Sequence, residues 1–206
     1  MNSINSIYGG YESAWKLLIM IVTPPFWFWK SELPDSVCDA IIAEGLKLDL
    51  KEAVVGYGGD SRVDPNIRKS KTGFFLASSW VSAITTMYMS RANDSAWKFE
   101  ITQPQAPQFT MYGLNEFYDF HRDESQYDYI LEESIQKDFR KLSVVLFITD
   151  PNEYEGGEFE FDGFTPEVKD RGSIMVFPSF LNHRVKPVTK GIRYSIVNWF
   201  VGPPFR

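Results

Sequence analysis

Histidine and cysteine are both scarce in this chain: two of the first and one of the second in 206 residues. A lone cysteine, Cys38, excludes an intrachain disulfide and any cysteine-built metal site, and fits a reducing, cytoplasmic setting. Two histidines are too few for a two-metal phosphoesterase, which needs several more imidazoles and carboxylates. Positive charge is the minority sign, with 21 Lys and Arg against 27 Asp and Glu and a formal net charge of −6. A general nucleic-acid or anionic-membrane surface is therefore not expected. The apolar stretch Trp15–Val22 falls well short of the ~20 residues of a membrane span and ends at Pro24-Pro25. No basic residue precedes it and no small-residue cleavage site follows, so it does not read as a secretory signal. Residues 1–25 are expected to be an extension ahead of one domain over 26–206, since repeats, low-complexity tracts and linkers are also missing.

What is present is enough for a core: 44% hydrophobic and 16% aromatic residues in a chain of single-domain length. A helix is expected to start near Pro34-Asp35-Ser36 with Asp35 as its N-cap, its apolar stripe running Val37, Ile41, Ile42. Gly56 to Pro65 reads as a loop and Phe74-Phe75-Leu76 as a short strand. Ser78 or Ser79 can cap a second helix, with Trp80, Ile84, Met87, Tyr88 and Arg91 on one face and Asn93-Asp94 at its end. Beyond residue 96 the pattern turns to strand. Phe109–Asp123 opens this region, and the strand-like runs Leu142–Thr149, Gly157–Phe161, Ser173–Phe177 and Arg193–Phe200 that follow are separated by Asp150-Pro151-Asn152, Gly156-Gly157, Arg171-Gly172 and Lys190-Gly191. Short strands at such intervals predict a sandwich. The fold class expected is mainly β: a double-stranded β-helix, or jelly roll, with N-terminal helices packed on one sheet. The polar stretch 124–140, with Tyr127 and Tyr129, reads equally as an active-site rim or a solvated loop.

The two histidines carry the chemistry. His121 stands two residues before Asp123, and His183 follows sixty-two positions later. In an extended segment, residues i and i+2 face one side, so His121 and Asp123 can share a metal while Arg122 faces away. A third ligand from another strand would complete the two-histidine, one-carboxylate facial triad of non-haem Fe(II) oxygenases. Alone, H-x-D with a distant histidine is a weak signal. If Arg193 points inward on the last strand, so do Ser195, Val197 and Trp199. An inward arginine needs an anion, either a local Asp or Glu or the carboxylate of a bound co-substrate.

Taken together, these residues resemble the iron- and 2-oxoglutarate-dependent dioxygenases of the prolyl 4-hydroxylase type. Gln108, Tyr112, Tyr118, His121 and Asp123 match Q-x-x-x-Y-x-x-G-x-x-Y-x-x-H-x-D, with Asn115 in place of the glycine. Tyr154–Phe159, Gly172–Pro178, His183–Val185, Pro187-Val188 and Gly191–Arg193 are similar in order and spacing, and Ile67–Ser70 resembles an early R-x-S element. The resemblance spans roughly residues 26–202. It implies Fe(II) on His121, Asp123 and His183, and 2-oxoglutarate anchored by Arg193 and Tyr112, with Ser195 nearby. Phe147 stands where some relatives carry a further co-substrate tyrosine. The resemblance also implies a substrate lying against Tyr118 and Trp199.

The activity so implied consumes O2 and 2-oxoglutarate, with ascorbate as a possible reductant. It hydroxylates a C–H bond, foremost on a peptidyl proline, and releases succinate and carbon dioxide. The alternatives are a free amino acid or other small-molecule substrate, or a jelly-roll binding module that is catalytically silent. A nucleic-acid demethylase of this fold would place an arginine where Trp199 stands, and a halogenase would replace Asp123. The expected partner is a peptide or protein, with no nucleic acid and no membrane.

Overall fold

The structure is a computed structural model describing residues 24–56, 61–124 and 138–205. The extension expected over residues 1–25 lies almost wholly outside these residues, as do Tyr127 and Tyr129 of the polar stretch. The described elements are, in order, β1 (Trp27–Trp29), α1 (Asp35–Gly45), β2 (Lys51–Glu52), β3 (Arg68–Lys69), β4 (Lys71–Phe74) and α2 (Trp80–Ser95). Then come β5 (Gln103–Pro104), β6 (Gln108–Tyr112), β7 (Phe117–His121), β8 (Phe139–Phe147), β9 (Tyr154–Gly156) and β10 (Phe159–Phe161). The chain closes with β11 (Ser173–Pro178), β12 (His183–Val185), β13 (Val188–Gly191) and β14 (Arg193–Gly202).

Two antiparallel sheets make the sandwich. The larger runs β1-β11-β8-β14-β6-β4-β2, with β5 also on β14; the smaller runs β10-β12-β7-β3. β9 and β13 form a separate pair. The larger sheet is buried on both faces, which is why its central strands read as unbroken apolar runs. Leu142, Val144 and Leu146 of β8, Ile174 and Val176 of β11, and Ile196 and Phe200 of β14 belong to a core shared with the two helices. The alternate residues Val145, Phe147, Met175 and Phe177 meet Phe159, Phe161 and Val185 of the smaller sheet. A period of two thus sorts each strand between two cores, giving the jelly roll braced by helices that the strand spacing predicts.

Several local expectations are corrected. The N-cap of α1 is Pro34, without a side-chain cap, and Asp35 lies in the first turn, where its charge still favours the helix dipole. The short strand is Lys71–Phe74, not Phe74–Leu76; it pairs with β6, and Phe74 and Leu76 are exposed. Ser79 caps α2, accepting from the Ser82 amide at 3.3 Å. The buried face of α2 is Val81, Thr85, Tyr88 and Ala92; of the expected stripe Trp80, Ile84, Met87, Tyr88 and Arg91 only Tyr88 is buried, and the other four lie one residue out of phase with that face. Hydropathy misplaces it because the inward face includes hydroxyls that satisfy themselves. Thr85 Oγ1 donates to the Val81 and Ser82 carbonyls and accepts from Asn198 Nδ2 at 2.9 Å. Asn93 does not end this helix; its side chain bonds both the amide and the carbonyl of Phe99, tying down the exit.

The stretch Phe109–Asp123 does not run through as one element. It is two strands in different sheets, β6 in the larger and β7 in the smaller, joined at Gly113–Glu116. Asn115, where the motif has glycine, sits at φ 60, a left-handed conformation that asparagine tolerates better than most residues.

Where α1 ends, Gly45 meets the fully buried Phe109. A Cβ there would lie 2.4 Å from the ring's Cδ2. Gly45→Ala would gain at most about 1 kcal/mol in helix propensity, against an overpacking cost of about 1–3 kcal/mol. The variant is therefore expected to melt below the parent in a calorimetric scan. An unchanged or raised midpoint would mean that the ring gives way without cost.

Candidate metal centre

The smaller sheet brings the histidines together by register. His121 at the end of β7 and His183 at the start of β12 are cross-strand partners, their ring centroids 4.2 Å apart. Each ring is held by its own backbone: His121 Nδ1 lies 2.8 Å from the Asp119 carbonyl and His183 Nδ1 2.8 Å from that of Leu181. A carbonyl accepts only, so Nδ1 carries the proton and each Nε2 keeps its lone pair for a metal. Packing fixes the rings further, with Tyr118 stacked on His121 at 3.4 Å and Phe159 on His183 at 5.3 Å.

Asp123 lies just beyond β7, outside any strand, so pleat alternation alone does not aim it. Its amide donates to the Ser179 carbonyl at 3.0 Å, and its Oδ2 accepts from Ser143 Oγ at 2.6 Å. Ser143 in turn lies 2.9 Å from Ser179 Oγ. The carboxylate oxygens stand 3.7 Å from His121 Nε2 and 3.6 Å from His183 Nε2. These separations are too long for hydrogen bonds and lie within reach of one ion with bonds of about 2.1 Å. The three candidate donor atoms all fall within 4.8 Å of one another. Burial opposes ionisation of Asp123, but the two imidazoles, Arg140 and the Ser143 hydroxyl together hold its carboxyl below the usual range. Burial, then His183, keeps the His121 imidazole well below its ordinary value, with Asp123 pulling the other way. The donor set is a carboxylate beside a neutral imidazole at pH 7, as a divalent cation requires.

These residues open into a cavity of about 450 Å³, within the common range for small-molecule sites. Arg193, Ser195, Val197 and Trp199 all line it, as the parity of the last strand predicts. Arg193 is 2% exposed and pairs in register with Tyr112. Its Nη1 donates to Ser195 Oγ at 3.2 Å, and among the described residues no carboxylate pairs with it. The local Asp or Glu partner is thus not found. At the Phe147 position the arginine meets a ring face, 5.7 Å from its centroid. Trp199 lies under the Arg140 guanidinium, 3.7 Å away, and its buried Nε1 has no hydrogen-bond partner among the described residues. A buried arginine without a counter-anion and an orphaned donor fit a cavity made for an anionic ligand. Arg122, expected to face away, also borders the cavity.

Sequence reasoning missed Ser143 and Ser179. The signal for Ser143 was there: a hydroxyl at inward parity inside the apolar run 142–149. Ser179 lies in the turn between β11 and β12, where no periodicity operates.

Comparison with known proteins agrees with this geometry. Residues 107–201 match the model of the 2OG-Fe(II) oxygenase superfamily. A PKHD-type hydroxylase of Aliarcobacter butzleri is 42% identical over 98 residues, covering 46% of this chain and 42% of its own. The chain matches less than half the length of that relative, and 28% of a PKHD-type hydroxylase from Gloeothece citriformis, 46% identical over 61 residues. In fold it is similar to a Pseudomonas putida prolyl-4-hydroxylase, with TM-score 0.65, 22% identity, and coverage of 86% of this chain and 93% of that one. It is likewise similar to a Trichoplax adhaerens prolyl hydroxylase solved with a hypoxia inducible factor peptide, with TM-score 0.66, 15% identity, and coverage of 97% and 94%. Motif, ligand geometry and matched segment converge: residues 107–201 are similar to the 2OG-Fe(II) oxygenase superfamily, and the chain has the fold of the prolyl 4-hydroxylase structures it resembles.

Proposed function

We propose that the protein is an Fe(II)- and 2-oxoglutarate-dependent dioxygenase that hydroxylates a C–H bond, with a peptidyl proline as the leading substrate. The observation that carries this reading is the register of His121 opposite His183 beside Asp123, in a cavity that also holds the buried Arg193. His121, Asp123 and His183 would hold the iron through one face, leaving positions open for co-substrate and O2. Once bound, the iron and 2-oxoglutarate supply the oxidation, one oxygen atom entering the substrate and the other the succinate released with carbon dioxide.

The chain's own part is orientation. Ser143 and the carbonyls of Asp119 and Leu181 fix the three ligands. Arg193, supported by Ser195 and the Tyr112 ring, would receive the distal carboxylate of 2-oxoglutarate, its planar fork matching that group. Tyr118, stacked on His121, and Trp199 would present aromatic faces to the substrate. Such faces suit proline in an extended peptide, and the Trichoplax relative's peptide complex supports a peptide partner by analogy. Residues 26–206 are read as the oxygenase domain. Among the described residues no helix is long and apolar enough to cross a membrane. The acidic balance supports a partner other than nucleic acid, and the single cysteine a cytoplasmic setting. Ascorbate would serve as reductant.

The test is anaerobic loading with Fe(II), then 2-oxoglutarate and O2, with succinate and mass spectra followed over proline peptides and free amino acids. Succinate release with an added oxygen on proline is expected. Release stimulated only by free amino acids would transfer the reaction to small molecules. No release with any of them would leave a silent binding module.

A further inference from the structure

A second arginine in the same cavity is not used by the chemistry above. Arg68 of β3 is 7% exposed and lines the cavity. Its Nε donates to Ser70 Oγ at 3.0 Å, and its guanidinium lies 4.5 Å from the centre of the Tyr118 ring. Tyr118 in turn stacks on His121. Guanidinium, phenol and imidazole thus form a column ending at the metal ligands. Neither Ser70 nor an aromatic face neutralises a charge, and among the described residues no carboxylate pairs with Arg68. The guanidinium has five N–H donors, and the bond to Ser70 uses one. A buried guanidinium left this way is costly unless a ligand completes it.

We propose that Arg68 is a substrate subsite for a carboxylate, so that the molecule oxidised carries an anionic group a short reach from the reacting C–H. This rests on the oxygenase reading and narrows it. Arg193 takes the co-substrate because it pairs in register with Tyr112 and holds Ser195. Arg68 shares the cavity instead with Val54 and Phe74, apolar lining residues that are half exposed, at 50% and 55%. That lining suits an apolar body whose acid group reaches inward. The carboxylate has two sources: the α-carboxylate of a small molecule or chain end, and the side chain of an acidic residue beside the target.

The experiment uses the full chain loaded with Mn(II), which holds the site without turnover, and titrates ligands by calorimetry. 2-Oxoglutarate is titrated first, and its binding decides the oxygenase reading independently. With it saturating, N-acetylproline is compared with its amide, and a blocked Pro-Glu dipeptide with its Pro-Gln counterpart. In at least one pair the acid should bind about ten-fold or more tightly than its neutral mate, and the pair that responds identifies the source. In Arg68→Gln that preference should vanish while 2-oxoglutarate binds as before, which shows that the variant is folded; Arg68→Lys should recover part of it. Equal binding of acid and neutral forms by the parent overturns the assignment. So does failure of both to bind, or a preference that survives in Arg68→Gln.

Discussion

His183→Ala should bind no stoichiometric Fe(II) and release no succinate. His183 is 4% exposed, faces His121 across the strand pair and lies 3.6 Å from Asp123. No other histidine besides His121 exists in the sequence to replace it, so the variant retains only two of three donors. The imidazole also fills an aromatic pocket, at 4.9 Å from Phe177 and 5.3 Å from Phe159. The alanine variant will therefore lose some stability to the cavity left behind, and His183→Gln, which fills more of the space, is the companion that separates ligation from packing. Calorimetric titration with Mn(II) and the succinate assay report on the site, and circular dichroism reports on the fold. Stoichiometric metal with full turnover in either variant would remove His183 from the ligand set.

Arg193 should divide binding from stability. Arg193→Met keeps most of the volume and removes a buried charge that the described chain does not neutralise. Its requirement for 2-oxoglutarate should rise about ten- to a hundred-fold, the loss of a charge-assisted contact worth roughly 1.5–3 kcal/mol. The ligand-free variant should melt no lower than the parent, because an apolar side chain in place of an uncompensated buried charge is often neutral or stabilising. Saturation curves for 2-oxoglutarate and a melting scan without ligand check both halves. An unchanged requirement would place the co-substrate elsewhere, and a large fall in melting point would mean that Arg193 acts mainly as a structural support.

Much of the site was legible because its residues sit where one periodicity rules. On β14 the alternation of Arg193, Ser195, Val197 and Trp199 is enough to line a cavity, and H-x-D survives as a local signal because only one residue separates the donors. Legibility failed where a different force chose the orientation. Asp123 is aimed by Ser143 and Ser179 from distant positions, and no local pattern encodes that. Helix α2 presents Thr85 inward because its hydroxyl can bond the preceding turn, which defeats a reading by hydropathy. The stretch Phe109–Asp123 is broken at Gly113–Glu116, where Gly113 and Asn115 are turn formers, but nothing local says that its two strands enter different sheets. Arg68 was visible only as part of a short motif; its burial beside Tyr118 depends on the pairing of β3 with β7.

That divided arrangement makes the proposed ion a clasp between the two halves of the sandwich. Both imidazoles belong to the smaller sheet, while the carboxylate is gripped by Ser143 from the centre of the larger one. An ion that ties all three draws on contacts from both sides, so its affinity and the cohesion of the sheets are one thermodynamic quantity. At a hundred times its dissociation constant, such an ion adds about 2.7 kcal/mol to the folded state. Metal supply would then govern how long the folded protein persists as well as how fast it works.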